Sequence, residues 1–397
     1  MASKNIRKPL IVIGAVLTGI VLFVVFMVFT DNFPLYLRDA IRDRLLGGGG
    51  SGSKSDHINH ISFSPDGKKL IFDRNKGDSK VTLHVYDLAT GVLGAYQAPR
   101  GEYWTMGRYS YDGRNIVFVV TPLICSSSKC ENDLANMQIA VMNPDGKNVR
   151  RITNTPGIKT FPSFSHSGRK IIFAKAGKIT EGFRTPAMDY DFFEVDVETG
   201  KETRLTHFRF FEVSRPSYLP DDKTLIFSAV GPALVPMTSD NGEIILRYMN
   251  DLRSDKSTYE YYHRKYDRSN IFRLRSGQQE LEPFVVMEKE QIWGPSRPLV
   301  TPDGKHLFFH AHADKPDGTG EGDQFFRYDH DGRHKRVSDL KAEMWTIWSS
   351  AVSPDGELLA TVGGGTEIRR IGICQVQDGS CREIALPEQS VIINQIK

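Results

Sequence analysis

One pattern recurs six times along the chain: an apolar alternation, a tight turn and a second apolar run. The fullest copy is Ile61-Ser62-Phe63-Ser64-Pro65-Asp66-Gly67-Lys68-Lys69-Leu70-Ile71-Phe72. Tyr109-Ser110-Tyr111-Asp112-Gly113 precedes Asn115-Ile116-Val117-Phe118, and Phe164-Ser165-His166-Ser167-Gly168 precedes Lys170-Ile171-Ile172-Phe173. Tyr218-Leu219-Pro220-Asp221-Asp222 precedes Thr224-Leu225-Ile226-Phe227. Val300-Thr301-Pro302-Asp303-Gly304 precedes His306-Leu307-Phe308-Phe309, and Val352-Ser353-Pro354-Asp355-Gly356 precedes Leu358-Leu359-Ala360. A fixed repeat of this kind means stacked copies of one supersecondary unit, none of which buries its apolar face alone. The turn chemistry is legible. Proline presets φ at the first corner, aspartate bonds the backbone beyond it, and glycine takes the left-handed position. Asp222 stands where the other copies have glycine in five cases, and aspartate tolerates that conformation better than most residues.

A second turn signal follows each copy, at Ala89-Thr90-Gly91, Asn143-Pro144-Asp145-Gly146, Glu198-Thr199-Gly200, Ser276-Gly277, Asp331-Gly332 and Asp378-Gly379. Each lies between strand-like runs such as Leu83-His84-Val85-Tyr86. Each unit therefore reads as four strands, A to D, and the expected fold is an all-β, six-bladed β-propeller over residues 57–397.

The Phe63-to-Phe72 pattern resembles the TolB-type propeller repeat (the WD40-like, or PD40, repeat), which is also found in relatives of prolyl oligopeptidase. The resemblance spans roughly residues 57–390. It implies the propeller fold and leaves function open. The chain shows no α/β domain of the kind that precedes the TolB propeller, and no Gly-x-Ser-x-Gly nucleophile elbow of the peptidases.

Ahead of the repeats, Leu10 to Phe29 is a run of twenty apolar or small residues without a charge. A helix of that length spans roughly 30 Å, the thickness of a bilayer core. The reading is a cytoplasmic N-terminus over 1–9, one transmembrane helix over 10–30, and an amphipathic helix and Gly/Ser linker over 31–56. Lys4, Arg7 and Lys8 precede the span, and Arg38, Arg42 and Arg44 follow it among Asp39 and Asp43. The positive-inside rule alone nearly ties. Two close cysteine pairs, Cys125/Cys130 and Cys374/Cys381, read as local disulfides, which persist outside the reducing cytosol. Together these place the propeller in the periplasm, anchored to a bacterial inner membrane. The formal net charge of +3, from 51 basic and 48 acidic residues, gives no concentrated basic face for nucleic acid.

Strand alternation puts A–B and C–D turns on one face, and B–C and D–A connections on the other. The long insertions are nearly all B–C: 121–136, 175–189, 229–270 and 311–323. Loops on a rigid scaffold are the usual carriers of binding. The fourth insertion holds Tyr259, Tyr261, Tyr262, Arg264 and Tyr266, a composition that suits a protein interface or the packing of a long loop on its own domain. Arg215 and Arg297 occupy matching places, seven residues before the turn position, at the start of strand A and the mouth of the channel. They suit a clamp on a carboxylate or phosphate, with pairing to Glu212 or Glu290 as the alternative. Trp293 and Trp345, eleven residues before their turns, suit a stacking platform or wedges between blades. His306, His310, His312 and Asp314 alternate along one strand. His310, His312 and Asp314 are the nearest approach to a transition-metal set, against an ordinary strand with partly buried histidines. Asp314, Asp317, Glu321 and Asp323 among glycines suit a calcium loop or a solvated one. No cofactor and no catalytic residue is expected. The leading expectation is a scaffold for a protein partner or an envelope polymer, with a subunit of a larger membrane complex as a variant of that reading. The alternative is a lyase or hydrolase acting on an anionic polysaccharide.

Overall fold

The computed structural model describes residues 56–76, 81–125, 130–179, 187–232, 234–238, 241–242, 244–248, 255–257, 271–278, 281–284, 292–314, 321–328, 334–336, 349–364 and 369–394. The expected membrane span and the helix and linker after it lie outside these residues. Among the described residues no helix is long and apolar enough to cross a membrane.

The unit Lys54–Lys397 is an all-β propeller built from successive antiparallel meanders. The first runs through His57–Phe63, Lys69–Asn75, Val81–Asp87 and Leu93–Tyr96. The last runs through Ser349–Val352, Leu358–Gly364, Arg369–Gln375 and Cys381–Ile384. Two neighbouring meanders in the middle join through the single pairing Tyr190↔Phe210, so they count as one eight-stranded sheet.

The second strands are sandwiched between adjacent sheets, which explains their sequence. Leu70-Ile71-Phe72, Ile116-Val117-Phe118 and Ile171-Ile172-Phe173 are continuous apolar runs, and all nine side chains are fully buried. A strand covered on both faces has no polar side to alternate with. Apolar clusters tie each meander to the next. One joins Ile71, Leu83 and Tyr96 to Trp104 and Phe118. Another joins Phe192 and Phe210 to Phe227 and Phe272. A further cluster packs Ile58, Ile61 and Phe72 against Ala360, Val362 and Ile371, so the last meander closes the ring on the first. The chain end adds a second closure. Val391–Ile392 pairs in parallel with Leu93–Tyr96, and Asn394 both accepts from Gln97 N at 2.7 Å and donates to Gln97 O at 3.1 Å.

The repeated turns form as their residues dictate. Gly67, Gly113, Gly168, Asp222, Gly304 and Gly356 each donate an N–H to the carbonyl three residues back, at 2.8–3.0 Å. Asp66, Asp112, Asp303 and Asp355 accept from the N–H two residues on, at 3.0–3.1 Å. The residue opening the turn has a role that the sequence reading left out. Ser64 Oγ accepts from Lys69 N at 2.9 Å while donating to Asp66, and Ser110, Thr301 and Ser353 repeat this. The turns also interlock around the ring. A Cβ on Gly304 would lie 2.7 Å from the Pro220 ring of the preceding turn, and φ of +71° excludes most other residues there.

Asp222 does take the left-handed conformation, with φ of 53°. It also reaches the neighbouring turn, where its carboxylate accepts from His166 N at 2.5 Å and Ser167 N at 2.9 Å.

The B–C insertions are hairpins more than open loops. Ile116–Cys125 pairs with Cys130–Asn132, Lys170–Ile179 with Ala187–Asp196, Leu234–Thr238 with Ile244–Tyr248, and Leu307–Asp314 with Glu321–Tyr328. Cys374 and Cys381 form a disulfide with Cα atoms 4.0 Å apart. Cys125 is disulfide-bonded as well, and its register partner is Cys130.

Candidate functional site

Two places stand out: the channel lined by the innermost strands, and the end from which the hairpins project.

The channel geometry comes from a defect repeated in the inner strands. His60, Met106, Phe161, Arg215 and Arg297 all have positive φ, between 48° and 57°. Each lies seven residues before the glycine or Asp222 of its turn, and each coincides with a break in register between strands A and B. Such a bulge bends the strand and re-aims a side chain. A left-handed non-glycine residue costs about 1 kcal/mol or more and persists only where its surroundings over-determine it. Here four of the five equivalent side chains (His60, Met106, Phe161 and Arg215) line one central cavity of about 80 Å³. At about 10–15 Å³ per water, that is space for roughly five to eight waters or a small anion.

Arg215 and Arg297 are the sixth residues of Phe210–Tyr218 and Ile292–Val300, so both strands begin five residues before the arginine. Arg215 reaches across the channel. Its guanidinium donates to Ser350 O and, at 2.5 Å, to Ser349 Oγ. Neither Glu212 nor any other described carboxylate is among its hydrogen-bond or ion-pair partners. Arg108 also lines the cavity and points at the fourth meander, with long contacts of 3.5 Å to Pro216 O and Ser217 Oγ. Burial, then the charges of Arg297 and Arg108, push the Arg215 guanidinium down to about 9, still protonated at neutral pH. Burial likewise lowers Arg108. Burial, then Arg297 and Arg215, hold His310 well below the usual imidazole range, so it is neutral.

A buried carboxylate bonded to the cavity residue His60 is already engaged. Asp73 accepts from Met106 N at 2.9 Å and pairs with His60 Nδ1 at 2.6 Å. Burial raises Asp73, and the neighbouring His60 opposes that rise. His60 also meets the Phe161 ring edge-on at 5.9 Å.

Of the metal set, His310 is buried, bonded to Ser350 Oγ at 2.9 Å and packed edge-on against Phe325. His312 and Asp314 are register partners of Trp293 or Asp323 and of Glu321, and their side chains lie outside the described residues, as does that of Trp293. Among the described residues no group of three or more His, Cys, Asp and Glu side chains converges on a metal-sized site. Trp345, Tyr259, Tyr261, Tyr262, Arg264 and Tyr266 lie outside the described residues.

Sequence reasoning missed Arg108 and the His60–Asp73 pair. Arg108 had a signal: it sits five residues before its turn glycine, a column holding Ser62, Ser163, Ser217, Leu299 and Ala351 in the other copies. The His60–Asp73 pair had none, because it depends on strand register.

The two ends of the propeller differ. The A–B turns interlock at one end. At the other, Ile124, Phe211 and Val230 are exposed at the roots and flanks of the hairpins. Glu212 pairs with Val230, so Phe211 and Val230 present apolar surface on opposite faces of one projecting strand pair. Val92 and Val149 are exposed singly, in C–D turns at the opposite end.

No family model matches the sequence, and no curated protein matches it. Solved structures do. TolB from Acinetobacter baumannii is 16% identical, with a TM-score of 0.52, covering 89% of this chain and 69% of that one. An oligogalacturonate lyase in complex with manganese is 15% identical, with a TM-score of 0.52, covering 85% of this chain and 79% of that one. At these identities the likeness shows the fold alone, an all-β propeller like those of these two structures.

Proposed function

We propose that this chain is a membrane-tethered, six-bladed propeller that displays its hairpin-bearing end in the periplasm as a docking scaffold for a protein partner. The observation that carries this reading is the difference between the two ends. One end is a ring of short interlocked turns. The other bears four insertions with strand pairs in them and the exposed side chains Ile124, Phe211 and Val230. Large exposed apolar residues on projecting elements of a rigid scaffold favour a protein interface. The sequence order alone assigns the tyrosine-rich segment with Tyr259, Tyr261, Tyr262, Arg264 and Tyr266 to the fourth B–C insertion, and in this reading it contributes to the interface. The apolar run 10–30 supplies the tether, and the disulfides fit an oxidising compartment. Affinity purification after crosslinking in native membranes tests this. A partner should be recovered with the wild type and lost with the triple variant Ile124→Glu, Phe211→Glu, Val230→Glu. Equal recovery with a folded triple variant refutes the reading.

The second reading is an enzyme acting on an anionic polysaccharide. The His60–Asp73 pair favours it, because a carboxylate-oriented imidazole beside arginines in a cavity is suited to proton transfer next to an anionic group. Turnover of oligogalacturonate, lost in His60→Gln, is the result that would favour this reading.

A further inference from the structure

The side chains that reach across the channel come from different parts of the ring. Arg108 leaves the second meander and points at Pro216 and Ser217 of the fourth. Arg215 leaves the fourth and points at Ser349 and Ser350 of the last. Both line the same cavity, and Arg297 is close enough for its charge to act on Arg215. We propose that this cavity is a binding site for a free small oxyanion, a carboxylate or phosphate, gripped by Arg108 and Arg215, with Arg297 adding a third positive charge.

Three observations carry the proposal independently of the docking role. First, among the described residues the acceptors of Arg108 and Arg215 are neutral: two backbone carbonyls and two serine hydroxyls. Each guanidinium has five N–H donors in a rigid fork and lines the cavity, so these bonds leave donors available to a group bound there. Second, among the described residues no carboxylate pairs with Arg108 or Arg215. Asp73 is taken up by His60 and Met106 N, and His310 is neutral and bonded to Ser350. Charges inside proteins are ordinarily paired, because like charges away from bulk water repel strongly. Third, the size and shape fit. About 80 Å³ admits a group of a few heavy atoms, and forked guanidiniums bind carboxylate and phosphate bidentately. The left-handed backbone at Arg215, φ of 48°, is the device that turns this side chain into the channel.

The test uses the purified full-length chain in detergent. Inorganic phosphate and acetate are titrated calorimetrically at constant ionic strength, with chloride as the balancing salt. The wild type should bind one of the two saturably at one site, and the preference distinguishes a tetrahedral group from a planar one. Arg108→Gln should weaken that binding roughly 10- to 100-fold, the loss of a hydrogen bond to a charged group. Arg215→Lys, which keeps the charge and removes the fork, should weaken it roughly tenfold or more. Arg108 makes only long contacts within the protein, so Arg108→Gln should fold. Its melting temperature in chloride should equal or exceed that of the wild type, since one like charge is removed. At an anion concentration near the wild type's dissociation constant, phosphate or acetate should then raise the wild type's melting temperature and the variant's by much less. Non-saturable binding of both anions to the wild type, or unchanged affinity in both variants, overturns the site.

Discussion

Returning Asp222 to the glycine of the other repeats should destabilise the protein, although repeat consensus points the other way. Consensus substitutions usually stabilise, and glycine at φ of 53° relieves about 1 kcal/mol of left-handed strain. Against that stand two carboxylate-accepted hydrogen bonds, from His166 N at 2.5 Å and Ser167 N at 2.9 Å, which lock the third turn to the fourth. A hydrogen bond to a charged group contributes about 1.5–3 kcal/mol, and this partly exposed site belongs at the low end. The balance is a loss of about 2 kcal/mol. With an unfolding entropy of roughly 0.7 kcal/mol/K for a unit of this size, the melting temperature should fall by about 3 °C. Calorimetry of wild type and Asp222→Gly at pH 7 measures it. A pH series supplies the second arm. Burial raises the Asp222 carboxyl, but the bonds from Ser167 and His166 outweigh it and hold the group below its ordinary 3.8. A lowered pKa in the folded state adds stability above that ordinary value and loses it as pH falls through the lowered one. The gap between the two proteins should therefore persist from pH 5 to 8 and close below about 3.8. A variant as stable as the wild type at pH 7, or a gap that ignores acid, refutes the reasoning.

Phe227→Ala removes a fully buried ring that meets Phe192 at 4.5 Å, Phe210 at 5.7 Å and Phe272 at 5.9 Å. It should cost about 3–5 kcal/mol, seen as the largest fall in melting temperature of the variants named here. Replacing Cys374 and Cys381 together by alanine opens a loop with a sequence separation of 7, worth about 2.5 kcal/mol of chain entropy. The double variant should melt about 3–4 °C lower than the oxidised wild type. Asn394→Ala breaks both bonds to Gln97, so hydrogen exchange of Val391–Ile392 and its partner Leu93–Tyr96 should speed up, with the inner strands unchanged.

The parts of this fold that can be read from the chain are those set by local chemistry. The Pro-Asp-Gly corners and the doubly covered runs such as Leu70-Ile71-Phe72 announce themselves, because φ limits and two-sided burial act on neighbouring residues. The inner strands are harder. Glu102–Tyr109 and Phe210–Tyr218 mix charged and apolar residues because one side faces the channel, so their starts are blurred. Their bulges leave no trace at all, since His60, Met106 and Phe161 are poor candidates for a left-handed backbone and the ring as a whole imposes it. The insertions were locatable by length, but their strand pairing was hidden by residues such as Pro232 and Pro236, which sequence rules demote from strands. The site follows the same division. Arg215 and Arg297 were visible because they share a column of the repeat. Arg108 shares its column only with small or apolar residues. His60 meets Asp73 only through a register shift between Asn59 and Ser62.

The docking claim is most directly tested by photo-crosslinking in native membranes, with a photoreactive amino acid placed singly at Ile124, Phe211, Val230, Val92 or Val149. All five positions are exposed, and the last two lie in turns at the other end. Discrete adducts to one protein from Ile124, Phe211 or Val230, and none from Val92 or Val149, are expected. Adducts from the turn end alone, or the same adducts from all five positions, would contradict the account.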